Sequence, residues 1–339
     1  MRIAYDVTPL SHPRTGIGNY ILGALRGMLA AAAGEHEFVA FGPVSIRGRR
    51  MLEQTLDGLA VERRVLTFPL AHALRRTWSR AARPPAERFV GRVDVLHFSD
   101  WMYPPQRRGV RATMIHDLGP LHFPDRLDRR TVGMHTGTAR EARRCDIVFV
   151  NSEYTACDVV RTLGIPRERL RVAYPGVGER FTRDGSRSQR RRPYAFTTAT
   201  DDWRKNLETL RRAWTALDAE LELVAVGDLG YVPDAELASL YRGAGVFVYP
   251  SRFEGFGIPV VEAMACCVPC VVSSHPSLDE ASGDAAVRVD PEDPDAIVAG
   301  VREALARRDE LVARGVVHAA RFTWGETGRV HLQGYAEAL

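Results

Sequence analysis

Short runs rich in β-branched and aromatic residues recur along this chain, separated by longer segments with helical spacing. That alternation restricts the fold more than any other feature. The runs cover residues 3–7, 38–41, 93–98, 112–115, 147–150 and 170–173, then 194–198, 221–226, 246–249, 270–273 and 286–289. Strands alternating with helices build parallel sheets covered on both faces. Two such series predict an α/β protein of two doubly wound domains.

The boundary between the series is visible in composition. Residues 182–193, TRDGSRSQRRRP, hold no apolar side chain and cannot join a core, so they are expected to form a linker. The expected organisation is therefore a first domain over 1–181, the linker over 182–193 and a second domain over 194–325. A closing helix over 326–339 is expected to pack back on the first domain. A chain of 339 residues is long enough for two cores of ordinary size.

Composition excludes several classes. A hydrophobic content of 45% with 26% charged residues describes an ordinary globular protein, and a formal charge of +4 is too small at this length to announce nucleic acid. The amino terminus, MRIAYDVTP, reaches Asp6 before an apolar signal segment could form. The most apolar stretch, 260–272, is interrupted by Glu262 and is too short to span a bilayer. These features predict a cytoplasmic protein. Five cysteines, including Cys266, Cys267 and Cys270, predict reduced thiols. The C-x-x-C pair at 267 and 270 lacks the second pair that a zinc shell needs.

In open parallel sheets, ligands gather beyond the carboxyl ends of the strands. The richest such segment is VFVYPSRFEGFGIPVVEAMACC, residues 246–267. A strand ending near Tyr249 is followed by a turn at Pro250 and Ser251, a tight loop over 254–257, and a helix opened by Pro259. Helix starts present unpaired amides and the positive end of a dipole, which suits an anion such as phosphate. Gly255 and Gly257 let the amides of Phe256, Gly257 and Ile258 approach it. Glu254 and Glu262 bracket the loop and suit hydroxyl groups better than phosphate. One ligand with hydroxyls at both ends and phosphates between them is a nucleotide sugar.

One further residue stands out. Of 46 basic residues only Lys205 is lysine; the other 45 are arginine. A compact ammonium on a flexible stem can address a single oxyanion where a planar guanidinium is too wide. On the amino-terminal side, Gly16 and Gly18 in RTGIGNY follow the first strand and precede a helix. Ile21 stands where a dinucleotide fingerprint requires its third glycine, so a dehydrogenase is disfavoured.

Glu254 and Glu262 form an E-x7-E signature, and the chain resembles the retaining glycosyltransferases of family 4, which have the GT-B fold. The resemblance runs through TGIGNY, IHDLGPLHFPD, NSEYTACDVVRTLGIPRERLRVAYPGV, WRKN, SLYRGAGVFVYPS and SGDAAVRVDPEDP, in that order. It implies two Rossmann-like domains facing across a cleft, the first binding the acceptor. It further implies that Arg204 and Lys205 offset the charge of a leaving diphosphate. The amides of Gly255 to Ile258 would hold the sugar or diphosphate, Glu254 the hydroxyls of the transferred sugar, and Glu262 the ribose. Val232 would flank the base, and His116 would contact the donor sugar near its reacting carbon.

The implied reaction transfers a hexose, with retention, from a nucleotide-diphosphate sugar to a saccharide, polysaccharide precursor or small natural product. The implied mechanism is front-face, with no cofactor and no required metal. The acidic run at 290–295 reads as a helix cap at Asp293 rather than a metal site. Two departures from the family bear on donor choice: Cys267 replaces a glycine, and Asp201, Asp202 and Trp203 precede Arg204. Rival readings are a GT-B epimerase or phosphorylase, and a basic surface binder of membrane or nucleic acid. For a membrane, Leu70, Leu74 and Trp78 with Arg75, Arg76, Arg80 and Arg83 make 70–88 the candidate contact. Arginines spread through both halves argue against nucleic acid.

Overall fold

The computed structural model describes residues 1–13, 15–81 and 83–339, and its chain divides into two compact units, 1–176 with 324–339, and 177–323. The first unit holds a parallel sheet of seven strands: β1 (Arg2–Asp6), β2 (Glu37–Val44), β3 (Glu62–Thr67), β4 (Val95–Phe98), β5 (Val110–Ile115), β6 (Ile147–Val150) and β7 (Leu170–Val172). Their order is β3-β2-β1-β4-β5-β6-β7. The strand order reverses between β1 and β4, the switch point at which such sheets bind ligands. Inner strands such as β4 and β6 are buried at every residue, as parallel strands covered on both faces must be. Strand β3 was not expected from the sequence. Its segment ERRVLT lies at the sheet edge and is buried at none of its residues, so it carries no apolar run.

The helix Gly16–Ala32 begins at Thr15, whose side chain accepts from the Gly18 amide at 3.3 Å. It crosses the terminal helix Trp324–Ala338 at Gly27 and Gly328, where a Cβ on either glycine would meet the backbone of the other helix. Polar contacts fasten the same helix deeper in the core. The Tyr20 hydroxyl donates to the Ala173 carbonyl at 2.9 Å and lies 3.0 Å from His331 Nε2, and the Tyr335 hydroxyl lies 2.7 Å from His97 Nδ1.

The second unit holds five parallel strands: β8 (Tyr194–Thr197), β9 (Glu222–Ala225), β10 (Val246–Tyr249), β11 (Cys270–Ser273) and β12 (Ala286–Val289), ordered β12-β11-β10-β8-β9. Its switch point lies between β8 and β10. The expected linker at 182–193 is corrected here, because it belongs to this unit. Buried Arg242, on the helix Asp234–Gly243, donates to the carbonyls of Ser186 at 2.7 Å, Arg180 at 3.0 Å and Thr182 at 3.3 Å. A segment without apolar side chains is thus held through its backbone. The terminal crossing likewise begins at Trp324, inside the range expected for the second domain.

The helix within 70–88 also differs from the expected amphipathic face. Helix Ala71–Arg80 buries Arg75 together with Trp78, while Leu70 is exposed with Arg76, Arg80 and Arg83. Ala82 lies outside the described residues. Among the described residues no helix is long and apolar enough to cross a membrane.

Candidate active site

Lys205 ends a short 3-10 turn, Trp203–Lys205, capped by Asp202, whose carboxylate accepts from the Arg204 amide at 2.9 Å. Asn206 follows in the left-handed region at φ 56°, which asparagine tolerates better than most residues. Its side-chain amide donates to the carbonyls of Pro250 at 3.1 Å and Pro291 at 2.6 Å. The turn is thereby tied to the loops following β10 and β12.

That placement brings Lys205 onto the end of β10. Its ammonium donates to the Tyr249 hydroxyl and to Glu254 Oε1, each at 2.7 Å, and lies 5.2 Å from the centre of the Tyr249 ring. Tyr249 and Ser251 donate to the same carboxylate oxygen at 2.8 and 2.5 Å. Burial opposes the charge on Lys205, but the Glu254 carboxylate and the Tyr249 hydroxyl outweigh it and raise the ammonium's pKa above its ordinary value. Burial likewise works against charge on Glu254, yet Lys205 and the three hydrogen bonds hold it below the usual carboxylate range. The pair is therefore ionised at neutral pH.

The loop after Glu254 leads into the helix Ile258–Ala265, whose cap is Gly257 at φ 106° with no side-chain hydrogen bond. Glycine is required there twice over, by the positive φ and because a Cβ would meet Leu278. The Phe256 side chain is buried against Phe322, with ring centres 5.1 Å apart. Glu262 sits inside this helix at 8% exposure and accepts from the Tyr241 hydroxyl at 3.2 Å. Burial pushes its pKa up to about 8. The two glutamates of the signature therefore differ in charge at neutral pH, a distinction their spacing does not carry.

The remaining expected residues separate into groups. Arg204 pairs with Asp202 at 3.1 Å, and its carbonyl accepts from the Arg252 amide at 2.7 Å and lies 2.9 Å from the Ser251 hydroxyl. Val232, partly exposed, lies in the segment 230–233 that precedes the helix Asp234–Gly243. His116, Gly16 and Gly18 belong to the first unit. His116 directly follows β5 and packs edge-on against Tyr20, with ring centres 5.0 Å apart; burial lowers its pKa to about 4. Neither Gly16 nor Gly18 has a positive φ, and a Cβ at Gly16 would meet nothing within 4 Å.

Sequence reasoning missed Tyr249, Ser251, Asn206 and Tyr241. Tyr249 and Ser251 were read only as strand end and turn, though their place beside Pro250 at a strand's carboxyl end was a usable signal. The acidic run is committed locally: Asp293 caps the helix Pro294–Ala306 by accepting from the Asp295 amide at 2.9 Å, and Glu292 pairs with Arg252. Cys266 and Cys270 are buried and free, and burial pushes the Cys266 thiol up to about 12, far from a reactive thiolate.

Two family models match the chain: Glycosyltransferase Family 4 over residues 15–181, and Glycosyl transferases group 1 over residues 217–316. The chain is 28% identical to the O-antigen chain mannosyltransferase B of Escherichia coli, with 96% of each chain covered. It is also 28% identical to the D-inositol 3-phosphate glycosyltransferase 1 of Catenulispora acidiphila, covering 74% of each. Among solved structures, the sucrose-phosphate synthase of Thermosynechococcus elongatus superposes with a TM-score of 0.72 at 17% identity, over 99% of this chain and 98% of that one. WaaG, a glycosyltransferase involved in lipopolysaccharide biosynthesis, gives 0.68 at 12% identity, over 97% of each. Two parallel-sheet α/β domains with these neighbours define a glycosyltransferase of the GT-B fold. The chain belongs to glycosyltransferase family 4.

Proposed function

We propose that this glycosyltransferase moves a hexose, with retention and without a required metal, from a nucleotide-diphosphate sugar to a hydroxyl of a saccharide, polysaccharide precursor or small natural product. The observation that carries the reading is the cluster of Lys205, Tyr249, Ser251 and Glu254 at the switch point of the second unit, beside a helix start whose cap carries no side chain. The mannosyltransferase relative supports a bacterial hexosyl or mannosyl transfer.

In this reading Lys205 and Arg204 meet the diphosphate, and the amides from Gly255 to Ile258 hold its oxygens or the adjacent sugar. Glu254 receives three hydrogen bonds on Oε1, which leaves Oε2 for hydroxyls of the transferred sugar. Glu262 takes the ribose and Val232 flanks the base. His116, with Gly16 and Gly18, serves the reacting end of the donor. The acceptor oxygen bonds to the anomeric carbon on the face from which the diphosphate departs. The bond to the diphosphate oxygen breaks, and that oxygen takes the acceptor's proton. Catalysis is then positioning plus stabilisation of the developing negative charge. The ammonium of Lys205, held by two partners of fixed position, supplies part of that stabilisation without reorganising. No cofactor enters, and the positive charge a metal would supply comes from Lys205 and Arg204.

In this reading the enzyme works in the cytoplasm. Exposed Leu70 and Phe68 beside Arg76, Arg80 and Arg83 support peripheral contact with anionic lipid through 70–88.

The test has two parts. UDP-, GDP- and dTDP-sugars are compared for protection against thermal unfolding, and one of them is expected to raise the midpoint selectively. With that donor, Lys205→Ala is expected to slow single-turnover transfer by roughly a hundred-fold or more, the size seen when one preorganised charge-stabilising donor is removed. Lys205→Arg is expected to recover only part of the loss. Full activity in both variants, or no protection by any sugar diphosphate, refutes the proposal.

A further inference from the structure

The helix that ends the chain carries a buried polar network towards His116. Its residue His331 has no exposed surface and stacks on Phe149, with ring centres 4.1 Å apart. The crossing at Gly27 and Gly328, about one turn earlier, fixes how far along the core His331 sits. The Tyr20 hydroxyl donates its one proton to the Ala173 carbonyl, so at its 3.0 Å contact with His331 it accepts, and the imidazole carries its proton on Nε2. Burial keeps that imidazole neutral, with a pKa of about 3. Its Nδ1 lies 3.4 Å from the Tyr335 hydroxyl, which in turn lies 2.7 Å from His97 Nδ1. Side chains from β4, the first helix and the terminal helix are thus joined in one chain that ends on the backbone just after β7.

Tyr20 connects this network to His116. Their rings meet edge-on with centres 5.0 Å apart, and Trp324 meets Tyr20 in the same manner at 5.8 Å. Tyr20 also stands about one helical turn after Gly16, on the helix that the glycine segment opens. Apolar side chains of the same shape could fill this core, since replacing both partners of a hydrogen bond by such groups is nearly neutral for stability. What the polar version adds is a fixed rotation and depth for each ring.

We propose that Tyr20 and His331 are positioning residues: His331 holds the Tyr20 hydroxyl, and the Tyr20 ring holds the His116 imidazole at the carboxyl end of β5. The inference rests on the transferase reading for the role of His116, and it adds to that reading a residue from the far end of the chain. Both residues act through His116. A ring braced by packing alone can pivot, and the two bonds at the Tyr20 hydroxyl remove that freedom. A displacement of about 1 Å at a reacting centre can cost about a hundred-fold in rate, and the loss of one hydroxyl hydrogen bond is expected to cost about three- to ten-fold.

The full chain is tested as Tyr20→Phe, His331→Leu and His331→Gln, whose amide can donate where Nε2 does. Tyr20→Phe keeps the ring and the packing, so it serves even if His331→Leu fails to fold. Two readouts are taken: the NMR signals of isotope-labelled histidine rings, with that of His116 identified by its loss in His116→Ala, and the single-turnover transfer rate beside donor affinity from thermal shift. Tyr20→Phe and His331→Leu are each expected to displace or broaden the His116 signal and to slow transfer up to about ten-fold, with donor affinity unchanged. His331→Gln is expected to keep the wild-type signal and most of the rate. Added to His116→Ala, Tyr20→Phe is expected to cause no further loss, because the two residues act as one unit. An unmoved His116 signal in Tyr20→Phe overturns the inference. So does a loss that adds in full to that of His116→Ala, or a His331→Gln variant no better than His331→Leu. A displaced signal with an unaltered transfer rate upholds the positioning and removes His116 from the donor reading instead.

Discussion

Cys267 shows how a single residue can depart from expectation for a reason its side chain does not reveal. The sequence marks Cys267 only as a cysteine in a glycine's place. The structure puts Cys267 at φ 61°, just past the helix Ile258–Ala265, with its amide bonded to the Met264 carbonyl at 3.0 Å. The strain is conformational: a left-handed residue with a Cβ costs about 1–2 kcal/mol, which glycine avoids. Cys267→Gly is expected to stabilise the protein by about 1 kcal/mol, read as a higher urea midpoint for the second unit. A lower midpoint would mean that the thiol's packing outweighs the backbone term. Lys205 is the complementary case. Its uniqueness was legible, and its partners were not, because Tyr249 and Glu254 lie 44 and 49 positions away.

At the level of elements, continuous apolar runs were the readable part. Central strands of a parallel sheet are buried on both faces and therefore announce themselves, whereas the charged edge strand β3 does not. The segment 182–193 failed as a linker for a related reason, since composition reports side chains and this segment is held by its carbonyls on Arg242. The crossing of Gly16–Ala32 with Trp324–Ala338 depends on two glycines whose partners are almost the whole chain apart. Gly27→Ala forces a Cβ into the Trp324 backbone, and overpacking of this kind costs about 1–3 kcal/mol or more. The expected result is early melting of the first unit with faster hydrogen exchange in 324–338, while the second unit keeps its midpoint. Unchanged exchange there would show that the helices move apart freely.

For the whole molecule, buried histidines and buried carboxyls pull the response to acid in opposite directions. Burial lowers His331 to about 3 and His116 to about 4, and it holds His97 well below the ordinary value of 6.5. The unfolded chain takes up these protons from pH 6.5 downward while the folded one refuses them, so stability falls as pH drops from 6.5 towards 4. Each histidine adds a slope of up to about 1.4 kcal/mol per pH unit. Asp100 of the first unit, raised by burial to about 7, and Glu262, raised to about 8, act in the opposite sense, because the folded state loses stability as pH rises from the ordinary carboxylate range through those values. Urea unfolding between pH 4 and 7 is expected to show the first unit destabilised by acid, with a shallower slope in His331→Gln. An unchanged slope would remove His331 from the account.

The sequence by itself determined that the chain forms two parallel-sheet α/β domains and that it is a glycosyltransferase. Both follow from local information: runs long enough to be buried twice over, and a motif read along a few turns of chain. Only the tertiary structure decided which of the two signature glutamates keeps its proton and what holds Lys205. Those properties come from burial and from pairing between residues far apart in the chain, and neither is encoded in any short stretch of it.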